Sequence, residues 1–155
     1  MIKRANNKKK KGFTLIELII VLAVMAIIAL IAIPNFTAVR DNSKVKADKQ
    51  SCETIERTVL MLVSDESITG NGTIVLTPTK TDLPVADGDI KGSNGRTAKV
   101  IVEEALQEVK APQGKECTGT KTELVDTKAK NPTTYTIVIK DGSVEVVTGA
   151  VKAGE

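Results

Sequence analysis

The chain has 155 residues, of which 41% are hydrophobic and only 2% aromatic, and its formal net charge is +3. That length suffices for one modest domain together with one extended element. The sequence contains no His and no Gly-rich phosphate loop followed by Lys and Ser or Thr, so the commonest acid-base and nucleotide-handling groups are missing. We therefore expect a non-enzymatic protein without a catalytic residue, cofactor or metal.

The N-terminal segment is strongly basic. Lys3, Arg4 and the four lysines of residues 8–11 precede Gly12, and removing residues 1–12 leaves 16 basic against 19 acidic side chains. A positive balance carried by a leader indicates a membrane-topology signal rather than a nucleic-acid surface.

Residues 13–33 form an apolar run of 21 residues whose only charge is Glu17. At about 1.5 Å per residue, a helix of this length spans the roughly 30 Å hydrocarbon core of a bilayer. The basic leader should stay in the cytoplasm, which predicts a single pass with the C-terminal part outside. An acidic side chain costs about 2.5–3.5 kcal/mol at the centre of such a span. Glu17 therefore favours a specific function over a plain signal anchor, which remains the alternative.

The cleavage site is predicted before the apolar run. A secretory signal would place small residues after its apolar region, but here that end reads Ile-Ala-Ile-Pro-Asn-Phe. The junction of Gly12 and Phe13 is the better position, and cutting there would leave the apolar helix on the mature protein.

Residues 8–36, KKKKGFTLIELIIVLAVMAIIALIAIPNF, resemble the N-terminus of type IV prepilins and of the pseudopilins of type II secretion and competence systems. The resemblance implies cleavage after Gly12 by a prepilin peptidase and N-methylation of Phe13. It also implies that Glu17 faces the Phe13 amine of a neighbouring subunit in a filament, and that the helix bends or opens at Pro34.

The predicted fold class is α+β, with a long N-terminal helix packed on a small antiparallel sheet that also carries a second short helix. The expected segments are a leader (1–12), an apolar transmembrane or filament-core helix (13–34), its amphipathic continuation (35–64) and a globular head (65–155). Two helices broken at Pro34 are the alternative. The apolar stripe that predicts continuation to about Val63 consists of Val39, Cys52, Ile55, Val59 and Leu62.

Two elements are predicted in the first part of the head. Thr73–Thr77 is typical of a short strand, and the Pro and Gly residues between positions 78 and 95 predict a loop. Helical spacing of apolar residues from Ala98 to Val109 then predicts a second amphipathic helix that ends before Pro112.

The clearest β signal is YTIVIK, Asp141-Gly142, SVEVVT. A two-residue type I′ turn at Asp141-Gly142 would leave one face of the hairpin almost wholly apolar, and the second half of the long helix is the natural cover for it. The predicted cross-strand pairs are Ile139 with Val144, Ile137 with Val146, and Tyr135 with Thr148.

A disulfide between Cys52 and Cys117 is expected for an exported domain, with two free thiols as the alternative. Closing this span would add about 4 kcal/mol of stability. The placement departs from the common family pattern, in which both cysteines lie late in the head.

Two weaker signals are interpreted as solvated surface. Residues 87–92 are similar to the start of a calcium loop, but Lys91 and Ala98 stand where oxygen ligands are required. Lys44, Lys46 and Lys49 could contact DNA, but acidic residues interleave with them and no aromatic side chains supply stacking.

We thus expect a structural subunit, a pilin, that polymerises with itself through its N-terminal helix. Its expected partners are the prepilin peptidase, the pilus assembly machinery, minor pilins and, before assembly, the membrane. The precursor would lie in the cytoplasmic membrane and the product in an extracellular filament. A pseudopilin and a non-polymerising membrane-anchored module are the alternatives.

Overall fold

The computed structural model describes residues 12–78 and 85–151, except for the side chains of residues 32–35 and 85–86. The chain divides into two compact units, Met1–Val39 and Arg40–Glu155. The leader up to residue 11, the loop residue Pro84 and the side chain of Pro34 lie outside the described parts.

Helix α1 runs from Leu15 to Ser64, 50 residues, and ends one residue beyond the predicted end at about Val63. When the parts of α1 on either side of its bend are counted as separate helices, no single helix in the described residues has both the length and the apolarity for a membrane span. The segments Leu15–Ile31 and Phe36–Ser64 meet these requirements together, as a bent pair, by length and composition.

The remaining elements form two antiparallel sheets and a short helix, which confirms the α+β class. The larger sheet has the strand order β3-β2-β5-β6, and β1 pairs with β4. In chain order the elements are β1 (Ile68–Thr69), β2 (Gly72–Leu76), β3 (Val85–Gly88), β4 (Lys91–Gly92), α2 (Ala98–Ala105), β5 (Tyr135–Lys140) and β6 (Ser143–Thr148).

The C-terminal hairpin has the predicted register. Asp141 and Gly142 both take positive φ angles, 50° and 76°, as a type I′ turn requires of its two central residues. The observed pairs are Ile139 with Val144, Ile137 with Val146, and Tyr135 with Thr148.

The segment after Pro78 is more regular than the predicted loop, because it contains β3 and β4. Gly88 and Gly92 lie within these strands, whereas Gly95 lies in a turn. A Cβ on Gly88 would come within 2.7 Å of the Gly72 Cα, so Gly88 allows close backbone approach of β3 to β2. The strand predicted at Thr73–Thr77 corresponds to β2, which begins and ends one residue earlier than predicted.

The second helix is shorter than predicted. It stops at Ala105 because Leu106 leaves helical geometry, with φ −116° and ψ 20°. Just before this helix, an exposed turn closes with the Arg96 N–H donating to the Ser93 carbonyl at 3.0 Å. Asn94 and Gly95 in this turn have φ angles of 55° and 74°, and a Cβ on Gly95 would meet nothing within 4 Å.

The core lies between the second half of α1 and the larger sheet, as predicted. Cys52, Ile55 and Val59 of α1 are fully buried in one cluster with the apolar face of the sheet and with α2. The sheet and α2 contribute Ile74, Leu76, Tyr135, Ile137, Ile139, Val144, Val146, Ala98, Ile101 and Val102.

A buried carboxylate fastens the loop after α2 to α1. Asp48 is 3% exposed, and its oxygens accept hydrogen bonds from the N–H of Gln113 at 2.9 Å and of Gly114 at 2.6 Å. A Cβ on Gly114 would lie 2.8 Å from Asp48 Oδ2, so this approach requires glycine. At the next residue of this loop, Lys115 Nζ forms an ion pair with Asp41 Oδ2 at 2.8 Å in an exposed position.

We predict that Asp48→Ala lowers the free energy of unfolding by about 3 kcal/mol, because the buried N–H of Gly114 and the partly buried N–H of Gln113 lose a charged acceptor. Asp41→Ala is the matched control. It removes a carboxylate that binds the same loop from the surface, where ion pairs contribute little. The single Tyr of the sequence, Tyr135, is fully buried, so its fluorescence during urea unfolding in detergent measures the difference. Equal effects of the two substitutions would contradict the assignment.

Candidate processing and assembly site

Gly12, Phe13 and Thr14 precede α1, and Thr14 is its N-cap. The Thr14 carbonyl accepts hydrogen bonds from the N–H of Glu17 at 3.1 Å and of Leu18 at 3.3 Å. The Thr14 hydroxyl accepts from the Glu17 N–H at 3.4 Å. The Glu17 N–H has no i−4 partner within the helix, and Thr14 satisfies it. Since α1 begins at Leu15, the Gly12–Phe13 peptide lies outside the helix.

The junction is sterically open. Phe13 is 81% exposed, and a Cβ on Gly12 would meet no described atom within 4 Å. A larger side chain at Gly12 would thus fit the described fold.

Glu17 occupies the first turn of α1, where a negative charge is favourable at the positive end of the helix dipole. Its side chain is exposed and makes no ion pair with another described residue. Thr14 was missed as a site residue, although Thr-x-x-Glu is the signature of a capping box. Of the two hydrogen bonds of a capping box, the described residues show the one that the Thr14 hydroxyl accepts from the Glu17 N–H.

The segment from Phe13 to Val39 presents an apolar surface that its own unit leaves uncovered. Its described residues include 16 exposed large hydrophobic side chains, and those from Leu15 to Ile31 are 48–75% exposed. So large a contiguous apolar surface marks a membrane or protein contact. Lipid or other chains must therefore cover it.

Comparison with known proteins identifies this N-terminal pattern. The Prokaryotic N-terminal methylation motif matches residues 7–33. Over 105 residues the chain is 42% identical to Prepilin peptidase-dependent protein A of Clostridium perfringens (strain 13 / Type A), covering 68% of this chain and 72% of the relative. No solved structure matches. The chain belongs to the type IV pilin-like family.

In this pilin-like protein the similarity is not confined to the N-terminal motif. The 105 aligned residues exceed the leader and α1 taken together, since α1 ends at Ser64, so part of the head is included. The methylation motif together with the apolar helix indicates a membrane-anchored precursor.

The described residues of the head hold no cluster of three or more His, Cys, Asp or Glu side chains that could bind a metal. Asp87 and Asp89, in the segment similar to a calcium loop, are both exposed. Asp89 Oδ1 forms an ion pair with Lys91 Nζ at 3.2 Å.

The predicted disulfide is not confirmed, because Cys52 and Cys117 are both free thiols in the structure. Cys52 lies fully buried in the core, while the half-buried Cys117 donates from Sγ to the Ala129 carbonyl at 3.6 Å. Burial, with a smaller effect of the Asp48 charge, raises the pKa of Cys52 to about 12. Burial also raises the pKa of Cys117. Both thiols are therefore mostly protonated near neutral pH, and the thiolate is the reactive form.

We predict that iodoacetamide at pH 8 alkylates Cys117 slowly and Cys52 more slowly still, because both thiols stay protonated and Cys52 is fully enclosed. Unfolding in urea should make both react at similar rates. Mass spectrometry of non-reduced peptides from the exported protein reads out both the alkylation and any bridge. A peptide containing Cys52 linked to Cys117 would restore the disulfide prediction and reject two free thiols.

Proposed function

We propose that this pilin-like protein is the structural subunit of a type IV pilus, which polymerises through α1 into a surface filament. The observation that carries the proposal is the uncovered apolar surface from Phe13 to Val39, interrupted by the single carboxylate of Glu17. The head can bury its own core, whereas this segment needs lipid first and neighbouring copies afterwards.

Apolar packing alone gives little preference for a filament over the membrane, because lipid tails are as apolar as neighbouring helices. A charge pair supplies that preference. We propose that Glu17, which lacks a partner among the described residues, binds the Phe13 amine of a neighbouring copy. N-methylation leaves that amine positive. Its attraction to Glu17 then sets the register of the helices in a low-dielectric surrounding.

In this proposal, prepilin peptidase cleaves after Gly12 and methylates Phe13, a role consistent with the name of the clostridial relative. The precursor resides in the cytoplasmic membrane with its N-terminus in the cytoplasm. Assembly machinery and minor pilins then transfer it to the extracellular filament. Pro34, near the end of the apolar run, would let the helix bend or open there.

We predict that Gly12→Val leaves uncut precursor in the membrane, with Gly12→Ala as the milder matched control. The fold has room for either side chain, so a processing defect would report on recognition by the peptidase. The readout is the N-terminal mass of the membrane-bound protein. Normal mature protein from Gly12→Val cells would refute cleavage at this junction.

We predict that Glu17→Ala inserts, is cleaved after Gly12 and keeps a protease-resistant head, yet yields few or no fibres. Removing one partner of a buried ion pair costs about 3–5 kcal/mol, and the loss falls on the assembled state alone. Glu17→Asp, which keeps the charge, is the control and should assemble partly. Fibres in normal number and length from Glu17→Ala would show that apolar packing sets the register unaided.

The pseudopilin alternative predicts a different product from the same processed subunit. Long fibres sheared from the cell surface, whose subunits begin with methylated Phe13, support a type IV pilus. Short structures confined to the cell envelope would instead indicate a secretion or DNA-uptake system. Subunits that retain residues 1–12 would indicate a membrane anchor that does not polymerise.

A further inference from the structure

The sequence contains two Asn-Gly pairs, Asn71-Gly72 and Asn94-Gly95. Asparagine followed by glycine is chemically labile, because glycine has no Cβ to hinder its nitrogen and its backbone rotates freely. That nitrogen can attack the side-chain carbonyl carbon of the preceding asparagine. The two pairs have the same covalent structure, so the fold decides which of them reacts.

Asn71 is held away from this reaction. Its side-chain nitrogen donates to Asp141 Oδ1, and its side-chain oxygen accepts from the Asp141 N–H, both at 2.9 Å. Gly72 begins β2 and is paired with Gly88 of β3 and with Ile139 of β5. Attack on Asn71 therefore requires its side chain to leave Asp141 and the end of β2 to separate from its neighbours.

Asn94 is not restrained in this way. Asn94 and Gly95 are both exposed, and no other described residue forms a hydrogen bond with the Asn94 side chain or with the Gly95 N–H. The space beside Gly95 is open, since a Cβ there would meet no described atom within 4 Å. Reaction requires the turn to open, which breaks the hydrogen bond from the Arg96 N–H to the Ser93 carbonyl.

The two ends of this turn are fixed by contacts outside it. The Ser93 N–H donates to the Ser67 carbonyl at 2.9 Å, and Ala98, the first residue of α2, is 3% exposed in the core. Residues 94–97 between these points are exposed. Local opening of the turn thus uncovers no core side chain, and such openings require far less free energy than global unfolding.

We propose that Asn94 is a site of spontaneous deamidation in the folded head. The Gly95 nitrogen bonds to the side-chain carbonyl carbon of Asn94, the bond from that carbon to the amide nitrogen breaks, and the Gly95 proton leaves with this nitrogen as ammonia. The product is a five-membered succinimide. Water then opens the ring at either carbonyl, which gives aspartate or isoaspartate at position 94.

Deamidation adds a negative charge to the exposed surface of the head. Isoaspartate also adds a carbon atom to the backbone of a turn in which Asn94 and Gly95 both take positive φ angles. Because Ser93 and Ala98 are fixed by other contacts, both changes stay local to the turn. The head therefore keeps its fold while its surface charge changes with the age of the protein. This inference does not depend on polymerisation.

The experiment is incubation of the full chain in detergent at pH 8, followed by trypsin digestion and mass spectrometry. Trypsin places the two Asn-Gly pairs in separate peptides, 92–96 and 58–80. Deamidation raises the mass of a peptide by one unit, and chromatography separates its aspartyl and isoaspartyl forms. Peptide 92–96 should convert at least about tenfold faster than peptide 58–80, because each further hydrogen bond that must break lowers the population of the reactive geometry about two- to tenfold. In urea the two rates should become similar.

Asp141→Gly is the matched control. It removes the carboxylate that holds the Asn71 side chain, and glycine suits the φ of 50° at this position. This variant should convert peptide 58–80 faster than the wild type and leave the rate of peptide 92–96 unchanged. Equal conversion of the two peptides in the folded wild type, or conversion of peptide 92–96 in urea alone, would overturn the proposal. Aspartate without isoaspartate at position 94 would overturn the succinimide step.

Discussion

The head depends on the packing of the inner face of α1 against one face of the sheet. Cys52, Ile55 and Val59 are fully buried there. Burial of an aliphatic side chain such as Ile55 or Val59 contributes about 1.5–3 kcal/mol. An antiparallel sheet with one apolar face needs such a cover. The Asp48 contact with Gln113 and Gly114 adds a directional constraint, which fixes the loop after α2 to the helix.

The first and second parts of α1 require different surroundings. Beyond Arg40 it has an inner face that the head covers and an outer face of charges. Between Phe13 and Val39 its described large apolar side chains are exposed, and no described residue of its own unit covers them. A chain built this way has a head that can fold from its own contacts and a remaining segment that requires an external apolar environment. This division underlies the proposal of a membrane stage followed by a filament stage.

Sequence patterns were sufficient where local chemistry decides the structure. The Asp141-Gly142 sequence favours a two-residue type I′ turn, whose twist matches that of the strands, and this turn fixes the hairpin register. The apolar stripe likewise predicts which side of α1 is buried. Sequence patterns did not predict contacts between backbone segments that are distant in the sequence. Gly88 resembled a loop residue until Gly72 of β2 was placed beside it, and Asp48 resembled a solvated charge. Thr14 was predictable from the Thr-x-x-Glu spacing, whereas the state of Cys52 and Cys117 depends on burial that spacing does not reveal.

The open turn between Ser93 and Arg96 has a practical consequence. Its tip is exposed and a Cβ on Gly95 would meet no described atom within 4 Å. One backbone hydrogen bond, from the Arg96 N–H to the Ser93 carbonyl, closes the turn. Tolerance to insertion follows from low burial and few broken hydrogen bonds. The hairpin tip at Asp141 is less suitable, because its side chain and N–H are bonded to Asn71. A foreign epitope grafted between Asn94 and Gly95 would therefore be displayed without disturbing the core.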